Sequence, residues 1–288
     1  NLGDGNDTIA DSSGNDTLKF GTGITRDDVV VKAVVGSNTL YVSVNDDVIS
    51  LENWFNSANR IESIEFDDGE ILDINQIESL QSDTDADEYF RFTEGNKVVS
   101  VGAGNDTLVL SSGDDIVDAG DGDDVVSSGA GDDTVIGAQG NDTINSESGN
   151  DTINAGKGND IVFAGSGNDT LNGGQGKDNL QGESGNDTYV FNRGDGEDTI
   201  YDDYHYGYRN RYQNNAGNDT LEFGEGISAS DLVVKVNEGS NDLTIAISED
   251  GKSFDELSDK IIIKDWFNLN NRVENFTFTD GSSLDTAE

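Results

Sequence analysis

The sequence predicts an all-β fold with a long repeated core, and three observations carry that prediction. Aspartate recurs every nine residues without a slip, at Asp106, Asp115, Asp124, Asp133, Asp142, Asp151, Asp160, Asp169, Asp178 and Asp187. Glycine stands two residues before each (Gly104, Gly113, Gly122, Gly131, Gly140, Gly149, Gly158, Gly167, Gly176, Gly185), and an apolar residue two after (Leu108, Val117, Val126, Val135, Ile144, Ile153, Val162, Leu171, Leu180, Tyr189). On either side of the array, "LYVSV" (40–44) and "LTIAI" (243–247) alternate as half-buried strands do.

Each unit divides into a turn and a strand. Six residues such as "AGSGND" (164–169) make the turn, where glycine supplies the positive φ. Three such as "TLN" (170–172) make the strand, often opened by Thr, Ile or Val. The middle strand residue points inward and its neighbours outward. Two units close one coil, with a short strand on each of two sheets, so the array stacks about five coils spaced about 4.8 Å apart. A solvated linker carries no such phase. Weaker units precede the array: "FTEGNKVVS" (92–100) has Lys97 where aspartate belongs, and "DTDADEYFR" (83–91) has Ala86 and Glu88 in the glycine and aspartate places. They read as an end cap. Forwards, Asp198 falls eleven residues after Asp187, a slip of two, and isolated units recur at Asp7, Asp16 and Asp219.

The charge balance decides what this array can bind. Asp+Glu number 59 against Lys+Arg 16, a net charge of −43. That excludes nucleic acid as partner, which needs a basic face, and disfavours anionic membrane surfaces. It favours cations, and without them it opposes compaction. With low hydrophobicity, it predicts a disordered chain when no cation is bound. Cysteine is absent, so there is no disulfide and no thiolate metal site. No apolar run reaches transmembrane length, so no membrane insertion by this segment is expected. The opening "NLGDGNDTIA" carries no signal peptide and begins inside a repeat, which reads as an excerpt of a longer protein.

The units match the nonapeptide G-G-x-G-x-D-x-U-x, which "GGQGKDNLQ" (173–181) fits at every place. The chain therefore resembles the RTX (repeats-in-toxin, haemolysin-type calcium-binding) family, most strongly over residues 83–200. The resemblance implies a parallel β-roll, a right-handed solenoid with several calcium ions in its turns, and export by type I secretion machinery. Its metal residues would be the ten array aspartates, with Asp7, Asp16, Asp198 and Asp219 in the outlying units. The turn glycines named above, with Gly102, Gly120, Gly129, Gly156, Gly165 and Gly174, would add backbone carbonyls, and Asn105, Asn141, Asn150, Asn159 and Asn168 lie in the same turns.

Elementary electrostatics supports that expectation. Stacking puts Asp106, Asp124, Asp142, Asp160 and Asp178 on one edge and Asp115, Asp133, Asp151, Asp169 and Asp187 on the other. Two carboxylates about 5 Å apart repel by roughly 3 kcal/mol at an effective dielectric of 20. A cation between successive turns turns that repulsion into attraction. Carboxylate and carbonyl oxygens are hard donors, which exclude zinc and copper, and a flexible all-oxygen shell suits calcium over magnesium. Affinities of roughly 0.1–1 mM are expected, with binding and folding as one event.

The two ends repeat each other. "NDTLKFGTGITRDDVVVK" (15–32) aligns with "NDTLEFGEGISASDLVVK" (218–235), and "VISLENWFNSANRIESIEFDDGEILD" (48–73) with "IIIKDWFNLNNRVENFTFTDGSSLD" (261–285). Both resemble the haemolysin-type calcium-binding-related domain. "FDDGE" and "FTDGS" read as Asp-Gly hairpin turns, and "DINQIESL" (73–80) as a short capped helix. Trp54 with Phe55, and Trp266 with Phe267, read as core anchors rather than a stacking platform. The expected division is 1–82 (first related domain with a roll remnant), 83–200 (roll), 201–216 (Tyr/Arg-rich loop) and 217–288 (second related domain). An insert at Tyr204–Asn215 holds His205, Arg209 and Arg211, an interface-like composition in so acidic a chain.

The expected function is a calcium-dependent structural block of a secreted, extracellular or cell-surface exoprotein, adhesin or toxin-like. The alternative is a calcium-dependent carbohydrate- or protein-binding module that uses the flanking domains or the 204–215 loop. An enzyme is not expected: H-E-x-x-H and G-x-S-x-G are absent, and a single histidine cannot build a zinc site. Ice binding is disfavoured because the third turn position (Ala103, Ser112, Asp121, Ala130, Gln139) lacks threonine.

Overall fold

The computed structural model describes residues 5–34, 37–45, 47–56, 60–81, 86–202, 217–236, 239–268 and 272–285. Two packed units emerge: one of Asn1–Thr93 with Thr107–Val109, the other of Glu94–Asp106 with Leu110–Glu288. The residues are almost all in strands and turns, as the glycine spacing requires.

The second unit contains the roll. One face stacks parallel strands at Val98–Ser100, Ile116–Asp118, Thr134–Gln139, Thr152–Gly158, Thr170–Gly176, Thr188–Phe191 and Asp219–Phe223. The other stacks Val125–Ser127, Thr143–Asn145, Ile161–Ser166, Asn179–Ser184 and Glu197–Ile200. The register joins like positions of alternate units: Val135 with Ile153, Ile153 with Leu171, and Ile144 with Val162. Each inward residue from Val117 to Tyr189 is buried, and the outward residues beside them, such as Ile116 and Val125, are exposed. The core is therefore a thin column of one side chain per strand. From residue 134 onward the roll's strands other than Thr143–Asn145 outgrow the three expected residues, because turn backbone stacks as well: Gly156 pairs with Gly174 and Lys157 with Gln175.

The slip of two and the insert leave the stack intact. Leu180 pairs with Ile200, and Tyr189 with Leu221, so on each sheet the next strand resumes the register. The second flanking copy continues both sheets. Lys260–Ile263 lies parallel to Glu197–Ile200, with Leu243–Ile247 and Leu232–Val236 following antiparallel. Val273–Phe278 lies parallel to Asp219–Phe223 and turns back antiparallel into Ser283–Asp285. Residues 203–216 of the Tyr/Arg-rich loop, His205 included, lie outside the described residues.

The first unit builds the same pattern from the first copy. Asp7–Ala10 is parallel to Asp47–Glu52, which continues antiparallel into Leu40–Val44 and Val29–Lys32. Thr17–Lys19 is parallel to Ser63–Glu65, which turns back into Ile71–Leu72. Both Asp-Gly hairpins form, with Gly69 at φ +88 and Gly281 at φ +84. The helix is Ile74–Glu78, capped where expected: Asp73 accepts the Gln76 amide at 2.9 Å. Trp54 is fully buried among Leu40, Val42, Ile64 and Leu72, an anchor of the core. Its counterpart Trp266 is half-buried, 5.9 Å from the Phe276 ring, and Phe267 is 54% exposed. Among the described residues no helix is long and apolar enough to cross a membrane.

Candidate metal centre

Two ladders of aspartate run along the two edges of the roll. On the first, the amide of Asp106 donates to Asp124 Oδ1, Asp124 to Asp142, Asp142 to Asp160, Asp160 to Asp178 and Asp178 to Asp198, at 2.7–3.1 Å. On the second, Asp115 donates to Asp133, then Asp151, Asp169, Asp187 and Asp219 follow in the same sense, at 2.7–2.9 Å. The Lys97 amide donates to Asp115 at 2.7 Å, so Lys97 occupies the aspartate place that its alignment assigns. Asp198 and Asp219, displaced in sequence, take the next rungs. Asp16 lies half-buried in the first unit, and Asp7 is exposed on its first strand.

The ladder aspartates are buried at about 1% exposure, which the sequence reading did not foresee. One oxygen of each accepts the amide of the coil before. The other, Oδ2, is buried without a hydrogen-bond partner at Asp115, Asp124, Asp142, Asp160, Asp169 and Asp187. Burial of a bare carboxylate is costly, and the neighbouring rungs add like charge. Burial, then neighbouring charges, push the carboxyls of Asp124, Asp160 and Asp169 up to about 7, and that of Asp115 to about 6. The amide bonds pull against that shift and do not overcome it.

The asparagines form a second ladder of opposite sense. The amide of Asp123 donates to Asn105 Oδ1, Asn159 to Asn141, Asn168 to Asn150, and Lys177 to Asn159. Their oxygens thus clamp one turn to the next. The turn glycines from Gly104 to Gly185 sit at φ between 125° and 154°, where a side chain is strained. At the array's Gly120, Gly129, Gly156, Gly165 and Gly174 φ is also positive, and the non-glycine residues Ala138, Glu147 and Glu183 hold the same region at φ 66–76. The Gly102 carbonyl accepts the Asp121 amide at 2.9 Å.

A glutamate closes the second ladder and has a counterpart in the first unit, and the sequence reading missed both. Glu274 Oε2 accepts the Asp219 amide at 2.9 Å, and in the first unit Glu62 Oε2 accepts the Asp16 amide at 2.6 Å. The signal was available, since "NRIE" and "NRVE" occupy equivalent places in the two copies.

The donor set is all oxygen, buried, anionic and stacked, which fits calcium. Comparison with known families agrees. The RTX calcium-binding nonapeptide repeat matches residues 2–24 and, in overlapping copies, 100–135, 127–162, 136–171, 155–189 and 163–200. The haemolysin-type calcium binding protein related domain matches 39–76 and 231–288. The chain carries RTX haemolysin-type calcium-binding repeats together with two copies of the related domain. Calcium is the ion of these repeats, several to a block. No curated protein matches the chain. Among solved structures, the extracellular lipase LipA from Serratia marcescens is similar at 16% identity over 90% of this chain, with a TM-score of 0.22. The chain spans 31% of that lipase.

Proposed function

We propose that the chain is a calcium-gated folding block of a larger secreted protein, kept unfolded where calcium is scarce and rigid outside the cell. The observation that supports it is the column of buried, unpartnered Oδ2 oxygens on each edge. A folded roll without cations holds these charges dry and side by side; a cation between rungs gives each of them a ligand bond. The ladder aspartates, with turn carbonyls, would hold the ions, and calcium would supply neutralisation and cross-linking of successive turns, not chemistry on a substrate. Export by a type I system, with folding on arrival, follows from the family resemblance and fits a chain whose charge resists compaction. An adhesin or toxin-like parent is the reading that goes with it. The expected modules 1–82, 83–200, 201–216 and 217–288 are read as the parts of this calcium-dependent block. Calcium titration followed by far-UV circular dichroism tests the proposal: β signal should rise cooperatively below about 1 mM calcium. No gain at that concentration refutes it.

A further inference from the structure

One position is small in the units from Asp115 to Asp178. Counting four residues past those aspartates gives Ala119, Ser128, Gly137, Ser146, Ala155, Ala164, Gly173 and Gly182, whereas past Asp106 and Asp187 the place holds Leu110 and Phe191. Where it is glycine, space is short. At Gly137, Gly173 and Gly182 a Cβ would meet Oδ2 of Asp142, Asp178 and Asp187, the aspartate five residues on. This position therefore faces the oxygen that the amide ladder leaves open. Four residues past Asp198 the chain places Asp202.

Asp202 is fully buried. Its Oδ1 accepts from the Tyr189 hydroxyl at 3.4 Å, and that hydroxyl in turn accepts the Gly182 amide at 3.0 Å. Its Oδ2 has no hydrogen-bond partner, and neither has Oδ2 of Asp187 or Asp219. One carboxylate oxygen from each of the three lies within 4.8 Å of the others. Calcium–oxygen bonds of about 2.4 Å place two ligands of one ion at most about 5 Å apart, so the three oxygens fit a common ion. The first flanking copy carries two of these residues at the equivalent places. There Asp11 stands where Asp202 stands, and Oδ2 of Asp11 and of Asp16 are likewise buried without partner.

We propose that Asp187, Asp202 and Asp219 form a further site for a hard divalent cation, calcium among them, built where the roll meets the flanking copy and using a residue outside the nonapeptide pattern. Resting on the ladder reading, it adds a third carboxylate where an ordinary rung pair has two. It pins the chain on both sides of the insert, since Asp202 precedes residues 203–216 and Asp219 follows them. The competing occupant of the gap is a proton shared between Asp202 and Asp219.

Native mass spectrometry of the whole chain across a calcium titration separates the two. Asp202→Asn should need roughly threefold to tenfold more calcium than the parent to take up its last ion, while its calcium-induced β signal is kept. An unchanged titration overturns the site, because a shared proton needs no metal and the amide replaces its hydrogen bond. If Asp202→Asn does not fold, terbium emission sensitised by Tyr189 decides: it should fall sharply in Tyr189→Phe, and unchanged emission overturns the site. A parent that takes up no calcium at all overturns the ladder reading, and this site with it; a shift confined to Asp202→Asn cannot be confused with that.

Discussion

The amide of Asp142 donates to Oδ1 of Asp160, eighteen residues on and one coil away, at 2.8 Å. The bond leaves Oδ2 of Asp160 buried with no partner. Each rung is thus half satisfied by the backbone and half open to a cation. Asp160→Asn keeps an acceptor for the Asp142 amide and removes the charge. It should raise the calcium midpoint roughly threefold to tenfold, about 1 kcal/mol, measured by titration against the parent.

The ladder also predicts opposite pH responses with and without calcium. The folded carboxyls of Asp124, Asp151, Asp160, Asp169 and Asp187 sit at about 7, raised chiefly by burial above an ordinary 3.8. Between those values the metal-free folded roll binds more protons than the unfolded chain, so its stability is full below about 4 and is lost as pH climbs through about 7. The metal-free chain should therefore gain β signal on acidification from pH 8 to 5. Calcium binding requires the ionised form, so the calcium midpoint should rise over the same interval. Circular dichroism at both pH values, with and without calcium, checks both directions.

Glycine at the turns is needed for space as well as for φ. Gly158 has φ +139, and a Cβ there would overlap the Gly140 carbonyl oxygen; Gly226 has φ +78 with nothing within 4 Å. Both substitutions place a side chain at positive φ, with more strain at Gly158, and only Gly158 adds the clash with the stacked turn. Gly158→Ala should lower the melting temperature in calcium well beyond Gly226→Ala, by roughly 1–3 kcal/mol.

Glu274 holds the last rung by accepting the Asp219 amide at 2.9 Å. Glu274→Ala removes that acceptor and should cost about 1 kcal/mol, a fall of about 2–4 °C in a unit of this size. Differential scanning calorimetry in saturating calcium reads it.

The period was legible because each unit spends one residue on the rung and one on the core: Asp160 and Val162 repeat the pattern of Asp142 and Ile144. Stacking of alternate units then follows from two strands per coil, and the structure pairs Ile144 with Val162 accordingly. The sense of the amide ladder was not legible, since sequence fixes spacing but not which partner donates. Nor was the parallel pairing of Glu197–Ile200 with Lys260–Ile263, a contact across some sixty residues that alternation alone cannot assign. Asp202 was hidden by the insert, which breaks the count to Asp219.

Small-angle X-ray scattering of the chain at pH 7.5 tests the central claim most directly, first in metal-free buffer with chelator, then in excess calcium. The radius of gyration should fall from near the unfolded value for this length, about 60 Å, towards the compact one, about 20 Å, and return on chelation, while magnesium fails to replace calcium. A compact, β-rich chain in chelator with no ion bound would contradict the account.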